Sequence, residues 1–76
     1  MIEIAQTLDV RGQSCPLPVV RASQAIKQLE PGQVLEVLAT DPGSLTDFPA
    51  WAKTTGNQIV EQDQLDGVFR YVVRKA

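Results

Sequence analysis

Arg11-Gly12-Gln13-Ser14-Cys15-Pro16-Leu17-Pro18 joins a stretch of alternating apolar residues to one with helical spacing, and its reading decides the fold. A residue before proline is pushed out of the α region, so Cys15 is expected to hold the extended backbone of an N-cap, with Pro16 at the first helical position. The helix then starts at Pro16. Prolines at its first and third positions remove two N–H groups that would have no intrahelical partner. The Leu17 N–H is left for a Cys15 thiolate, which the positive end of the helix dipole would favour. Thiolate is the nucleophilic form, so the stretch points to an activated sulfur at the mouth of a helix. A buried structural cysteine is the competing assignment, since free cysteines often act as small core fillers. Ser14, two prolines and nearby Arg11 and Gly12 instead make an exposed loop the expected setting.

Upstream of this turn, Ile2, Ile4, Leu8 and Val10 share one parity and Glu3, Thr7 and Asp9 the other, which predicts a strand over 2–9. Downstream, Val19, Ala22, Ile26 and Leu29 recur at three- and four-residue steps, an apolar stripe on a helix from Pro16 to about Leu29. Pro31-Gly32 stops it. Val34 to Ala39 is aliphatic apart from Glu36, the pattern of an interior strand, and Asp41-Pro42-Gly43 closes it. A second helix is predicted over 44–55, with Leu45, Phe48 and Ala52 on one face and Gly56 as terminator. Pro49 leaves two starts open: Asp47 caps a helix with Pro49 in its early turn, or Ser44 begins a helix that bends there. Residues 57–62 read as a polar third strand, 63–67 as a turn, and 67–74 as a fourth strand in which Phe69, Tyr71 and Val73 alternate with Arg70 and Arg74. Trp51 falls off the second helix's stripe. Its ring is expected to flank the core or cover a sheet edge, and a partner contact made with Phe48 is the other reading.

The order βαβαββ predicts an α+β fold over a single domain, residues 1–76. Two right-handed crossovers of the same hand place both helices on one face of a four-stranded sheet, a two-layer α/β sandwich. The other sheet face stays open to water or a partner, in keeping with Glu3, Glu36 and Arg70 among the strands. A chain of 76 residues buries only about 60% of its extended surface, so the core must be thin.

Composition narrows the function. The net charge is −2, with no Lys/Arg run before Arg74-Lys75, so direct gripping of nucleic acid is not expected and a protein partner fits better. One cysteine and no histidine leave neither an internal disulfide nor a zinc-ligand set, so no metal or cofactor is expected. A reducing cytoplasm is the expected location. Met1-Ile2-Glu3-Ile4 lacks a signal-peptide pattern, and no apolar run approaches the ~18 residues of a membrane span. A small acidic chain of this kind is expected to be a monomer.

Leu8-Asp9, Gly12 and Cys15-Pro16-Leu17-Pro18, then Pro31-Gly32 before an aliphatic strand, then Asp41-Pro42-Gly43-Ser44 and Asp47-Phe48-Pro49-Ala50-Trp51, together resemble the TusA/SirA-like sulfur-carrier family over nearly the whole chain. The Cys-Pro-x-Pro signature gains its specificity from the preceding strand and Asp-x-x-Gly turn. The resemblance implies a βαβαββ sandwich similar to the C-terminal domain of translation initiation factor three, with a mixed sheet whose last strand runs antiparallel. It implies that Cys15 carries sulfur as a persulfide, received from a cysteine desulfurase or rhodanese-like donor and passed to an acceptor protein. Transfer RNA thiolation, molybdenum-cofactor-related metabolism and sulfur oxidation are the family's destinations. Many relatives carry a second cysteine near the end of the second helix and a histidine after its terminating glycine. Ala52 and Asn57 stand there in this chain, so a role tied to that second thiol is not implied.

The residues agree with a carrier rather than a self-contained catalyst. A disulfide oxidoreductase needs a resolving thiol and a cysteine hydrolase needs a general base, and the chain offers neither. A persulfide shuttle needs one accessible sulfur. Arg11 is the candidate for stabilising the anion or steering partners, or else a solvated turn residue. Asp9 is expected to hold the turn through an Asx-type hydrogen bond, and Gly12 to take a positive φ. Two other classes stay open: a non-catalytic interaction module docking through the open sheet face or Phe48 and Trp51, and a thiol redox sensor working through intermolecular disulfides.

Overall fold

In a computed structural model describing residues 3–76, the elements are β1 (Ile4–Val10), α1 (Leu17–Ile26), β2 (Val34–Ala39), α2 (Ser44–Thr55), β3 (Gln58–Leu65) and β4 (Val68–Arg74). The Ile2 end of the predicted first strand lies outside the described residues. The sheet order is β1-β2-β4-β3. β1 and β2 are parallel, while β4 is antiparallel to both β2 and β3. The connection through α2 therefore carries the chain past one strand position, and the β3–β4 hairpin fills the gap. The result is the α+β sandwich that the element order predicts.

Both helices cover one sheet face. Val10 from β1, Leu35, Val37 and Ala39 from β2, and Phe69, Tyr71 and Val73 from β4 meet Ala22, Ala25 and Ile26 of α1 and Phe48 of α2. Burying a side chain such as Leu35 or Phe48 fully is worth roughly 1.5–3 kcal/mol, and this single layer of contacts holds the molecule together. Small alanines on α1 let the helix approach the sheet closely.

Element ends differ from the sequence reading in α1 and around the β3–β4 hairpin. α1 stops at Ile26, because the Gln28 and Leu29 N–H groups turn back to Ala25 and Ile26 in tighter, three-residue steps at 3.1 Å. Leu29 still packs against the core. Lys75 Nζ then donates to the Leu29 carbonyl at 2.5 Å, a cation at the negative end of the helical segment. The main chain of Lys75 pairs with Gly32 and Gln33 at 2.9 Å, so the tail continues the sheet.

α2 keeps its predicted span, beginning at Ser44 and running through Pro49 to Thr55. Gly56, at φ 81°, ends it in the left-handed region and donates its N–H to Ala52. Of the two starts left open by the sequence, the earlier one holds. The hairpin departs from its reading: β3 extends to Leu65, and the turn shrinks to Asp66-Gly67, both with positive φ. Asp-Gly is the residue pair that suits a two-residue hairpin, so Asp63 and Leu65 are free to pair with Arg70 and Val68.

A register shift between Ile59 and Glu61 has consequences for the uncovered face. Ile59 packs against the core, and the extra residue at the bulge brings Glu61 and Asp63 to the opposite side. There Arg70 Nε donates to Glu36 at 2.5 Å, and its Nη1 to Glu61 at 2.8 Å and Asp63 at 2.9 Å. The Thr7 hydroxyl donates to Glu36 at 2.9 Å, so one polar ladder crosses all four strands. The arginine draws Glu36 below the usual carboxylate range, and the carboxylates raise the arginine in turn.

Candidate functional site

Parallel pairing of β1 with β2, in the register Val10 with Ala39, ends the two strands side by side. The loop into α1 and the loop into α2 therefore leave from the same edge, the end of a parallel pair where ligand sites commonly form. Cys15 sits on the first loop and is exposed. The expected accessible sulfur is in place.

The turn that presents it is built largely as its residues predict. Asp9 Oδ1 accepts the Arg11 N–H at 3.1 Å, the Asx-type bond, and the same carboxylate holds the guanidinium through Nε at 2.9 Å and Nη2 at 2.8 Å. These bonds bring the Asp9 carboxyl down to about 2. Gly12 takes φ 82° with open space around its α-carbon, so conformation rather than crowding selects glycine. Its N–H donates to Thr40 Oγ1 at 2.8 Å, tying the turn to the end of β2.

The helix start departs from its reading. Pro16, joined to Cys15 by a cis peptide, is the N-cap instead of the first helical residue; Leu17 and Pro18 follow as the first two helical positions, and no side chain caps the helix. The Leu17 N–H is taken by the Ser14 carbonyl at 2.9 Å, so it is not available to the sulfur. The Arg11 guanidinium is bonded through Nε and Nη2 to Asp9 rather than to the sulfur. Pro18 is fully buried and pins the start of α1 to the core.

What meets the sulfur is acid. Cys15 Sγ donates to Asp47 Oδ2 at 2.7 Å, from the first turn of α2, and the Cys15 N–H donates to Asp41 Oδ2 at 3.0 Å. The hydrogen bond to Asp47 first, then desolvation and the charges of Asp47 and Asp41, push the Cys15 thiol above its ordinary range. The activated thiolate expected from the helix dipole is thus replaced by a hydrogen-bonded thiol. Gly43 makes the arrangement possible: a β-carbon there would lie 2.9 Å from Asp41 Oδ2 and 3.5 Å from Cys15 Cβ.

Beneath Asp47 the start of α2 is anchored by a buried pair, the Ser44 and Tyr71 hydroxyls at 2.7 Å. Phe48 is 0% exposed and stacked on Tyr71 at 4.5 Å, so it is a core residue and not the partner contact that its sequence position left open. Trp51 is half-buried, edge-on to Phe48 at 5.8 Å, and flanks the core. Asp41 and Asp47 are the residues that sequence reasoning missed as parts of the site. Parallel pairing of the first two strands was the available signal, since it brings the Asp41-Pro42-Gly43 loop beside Cys15. Among the described residues no helix is long and apolar enough to cross a membrane.

The family model for sulfurtransferase TusA matches residues 6–75. The sulfur carrier protein TusA of Allochromatium vinosum is 45% identical over 76 residues, covering 100% of both chains. The crystal structure of a SirA-like protein from Desulfitobacterium hafniense superimposes with a TM-score of 0.81 at 35% identity, covering 91% of this chain and 95% of that one. Matching fold, matching length and a family model that takes in every residue of the Cys15 turn lead to one assignment: the chain belongs to the sulfurtransferase TusA family.

Proposed function

We propose that this protein is a sulfur carrier whose Cys15 accepts a sulfur atom from a cysteine desulfurase or rhodanese-like donor and passes it to an acceptor protein. The observation that carries the reading is the exposed lone thiol at the joined ends of β1 and β2, in a chain of this family. In loading, the Cys15 thiolate attacks the outer sulfur of the donor's persulfide; that S–S bond breaks and the donor leaves as a thiolate. Unloading is the same exchange with the acceptor's thiolate as attacker and Cys15 as leaving group. No net oxidation occurs, so no cofactor is required. The acceptor decides whether the sulfur enters tRNA thiolation, cofactor synthesis or sulfur oxidation, and the cytoplasm, where thiols stay reduced, suits the exchange.

Incubation with a cysteine desulfurase and cysteine, followed by intact-mass measurement, tests the proposal. The wild-type chain should gain the mass of one sulfur atom, and Cys15→Ser should gain none. Because Cys15 is exposed, that variant should keep its stability within about ±0.5 kcal/mol. Sulfur retained by a folded Cys15→Ser chain would overturn the assignment.

A further inference from the structure

The site as built disfavours the species that sulfur transfer needs. Thiolate is the attacking form, yet ionising Cys15 loses the 2.7 Å hydrogen bond to Asp47 and sets a new negative charge beside it. Asp41 adds a second carboxylate, bonded to the Cys15 N–H at 3.0 Å. Arg11, the cation on the same turn, is held by Asp9 through two side-chain bonds. Near the start of α2, the hydroxyls of Ser44 and, from β4, Tyr71 are bonded to each other. Among the described residues, neither Asp41 nor Asp47 is held in a salt bridge. A guanidinium or ammonium from outside can hold them, since a charged donor binds carboxylates strongly and a guanidinium can take both oxygens at once. The approach is open: Leu17, two residues from Cys15, and Leu45, two from Asp47, are 50% and 44% exposed and offer apolar contact beside the acids.

We infer that Asp47 latches the Cys15 thiol in the free protein, and that a compatible partner opens the latch by bringing an arginine or lysine side chain to Asp41 and Asp47. The inference rests on the carrier reading and names its partners by chemistry: a donor or acceptor with a cationic segment beside its reactive sulfur. Once that cation holds Asp47, the thiol releases its proton to water. The Cys15 sulfur then attacks the outer sulfur of the donor persulfide, and the departing donor thiolate takes up a proton from water. Overall, one thiol and one persulfide give one persulfide and one thiol. Between encounters the latch keeps the exposed sulfur in its less reactive form.

Two methanethiosulfonate reagents, one bearing a trimethylammonium group and one a sulfonate, test the idea. Each reacts with thiolate to give a mixed disulfide and a sulfinate. On the wild-type chain at low salt the ratio of cationic to anionic reaction rates should exceed that of a free small-molecule thiol by at least about tenfold, and salt should shrink the excess. Asp47→Asn should bring the ratio toward that of a free thiol and lower the pH at which thiolate absorbance appears. Asp41→Asn should shrink the ratio by a smaller factor, and it serves as the second variant if Asp47→Asn does not fold. A ratio no larger than that of a free thiol, or a ratio unmoved in folded Asp47→Asn, would overturn the inference. Desulfurase loading is read separately. A chain that loads sulfur but shows no charge preference keeps the carrier reading and loses the latch; one with the preference that never loads keeps the latch and loses the carrier.

Discussion

The hydroxyls of Ser44 and Tyr71 lie 2.7 Å apart in the core, Ser44 1% and Tyr71 0% exposed, and each is the other's hydrogen-bond partner. Removing one side strands a buried polar group, which costs about 1–3 kcal/mol, whereas removing both leaves nothing unsatisfied. Tyr71→Phe and Ser44→Ala should each lower stability by about that amount in urea unfolding, and the double variant by less than their sum. Strict additivity would show the bond contributes nothing.

Arg11 is committed to Asp9, and its effect on the sulfur should be correspondingly small. Arg11→Ala should leave the alkylation rate of Cys15 by neutral iodoacetamide within about twofold of wild type, as expected for an exposed pair. Asp47→Asn should speed the same reaction at neutral pH by freeing the thiolate. A large loss in Arg11→Ala would return the guanidinium to the role its sequence position suggested.

Acid should weaken the open-face ladder. Glu36 titrates below its ordinary 4.5 because Arg70 donates to it, so the stability this lends is whole above pH 4.5 and drains as pH falls through the lower folded-state value. Urea midpoints should therefore drop below pH 4.5, and less steeply in Glu36→Gln. Arg70→Met should cost about 1–2 kcal/mol at pH 7 by leaving Glu36, Glu61 and Asp63 without their cation. At pH 3, with carboxylates protonating, the penalty should shrink.

Pro49 lies inside α2, where it lacks the N–H that would reach the Leu45 carbonyl. Its side chain is exposed, so alanine fits without repacking. Pro49→Ala should stabilise the fold by about 1–2 kcal/mol, the helix-interior gain less the added freedom of the unfolded chain. That corresponds to a rise in melting temperature of at least about 4 °C in a domain this small. An unchanged or lower melting temperature would mean that the proline is favoured by its local geometry.

Periodicity carried most of the architecture because the core is one layer thick and each element shows it a single face. The span of α2, the glycine that ends it and the limits of β2 could be read directly, as could the Asx bond of Asp9 and the positive φ of Gly12. The hairpin was misjudged because Asp63 and Leu65 look like turn residues until the bulge after Ile59 puts them opposite Arg70 and Val68. The electrostatics of Cys15 were misjudged for a different reason. Helix-dipole reasoning uses only residues near in sequence, whereas the groups that decide the sulfur's state come from Asp41 and Asp47, more than 25 positions away in the chain.

The tail formed by Lys75 gives the molecule two poles. Arg74 is level with Val34, and Phe69 with Ala39, so the chain leaves the sheet at the end farthest from the Cys15 turn. A tether, label or fused cargo attached after Ala76 would hang from the back while the front still met its partners. Cutting the tail short would instead unseat Lys75 from the close of α1, loosening the rear of the molecule with the sulfur untouched.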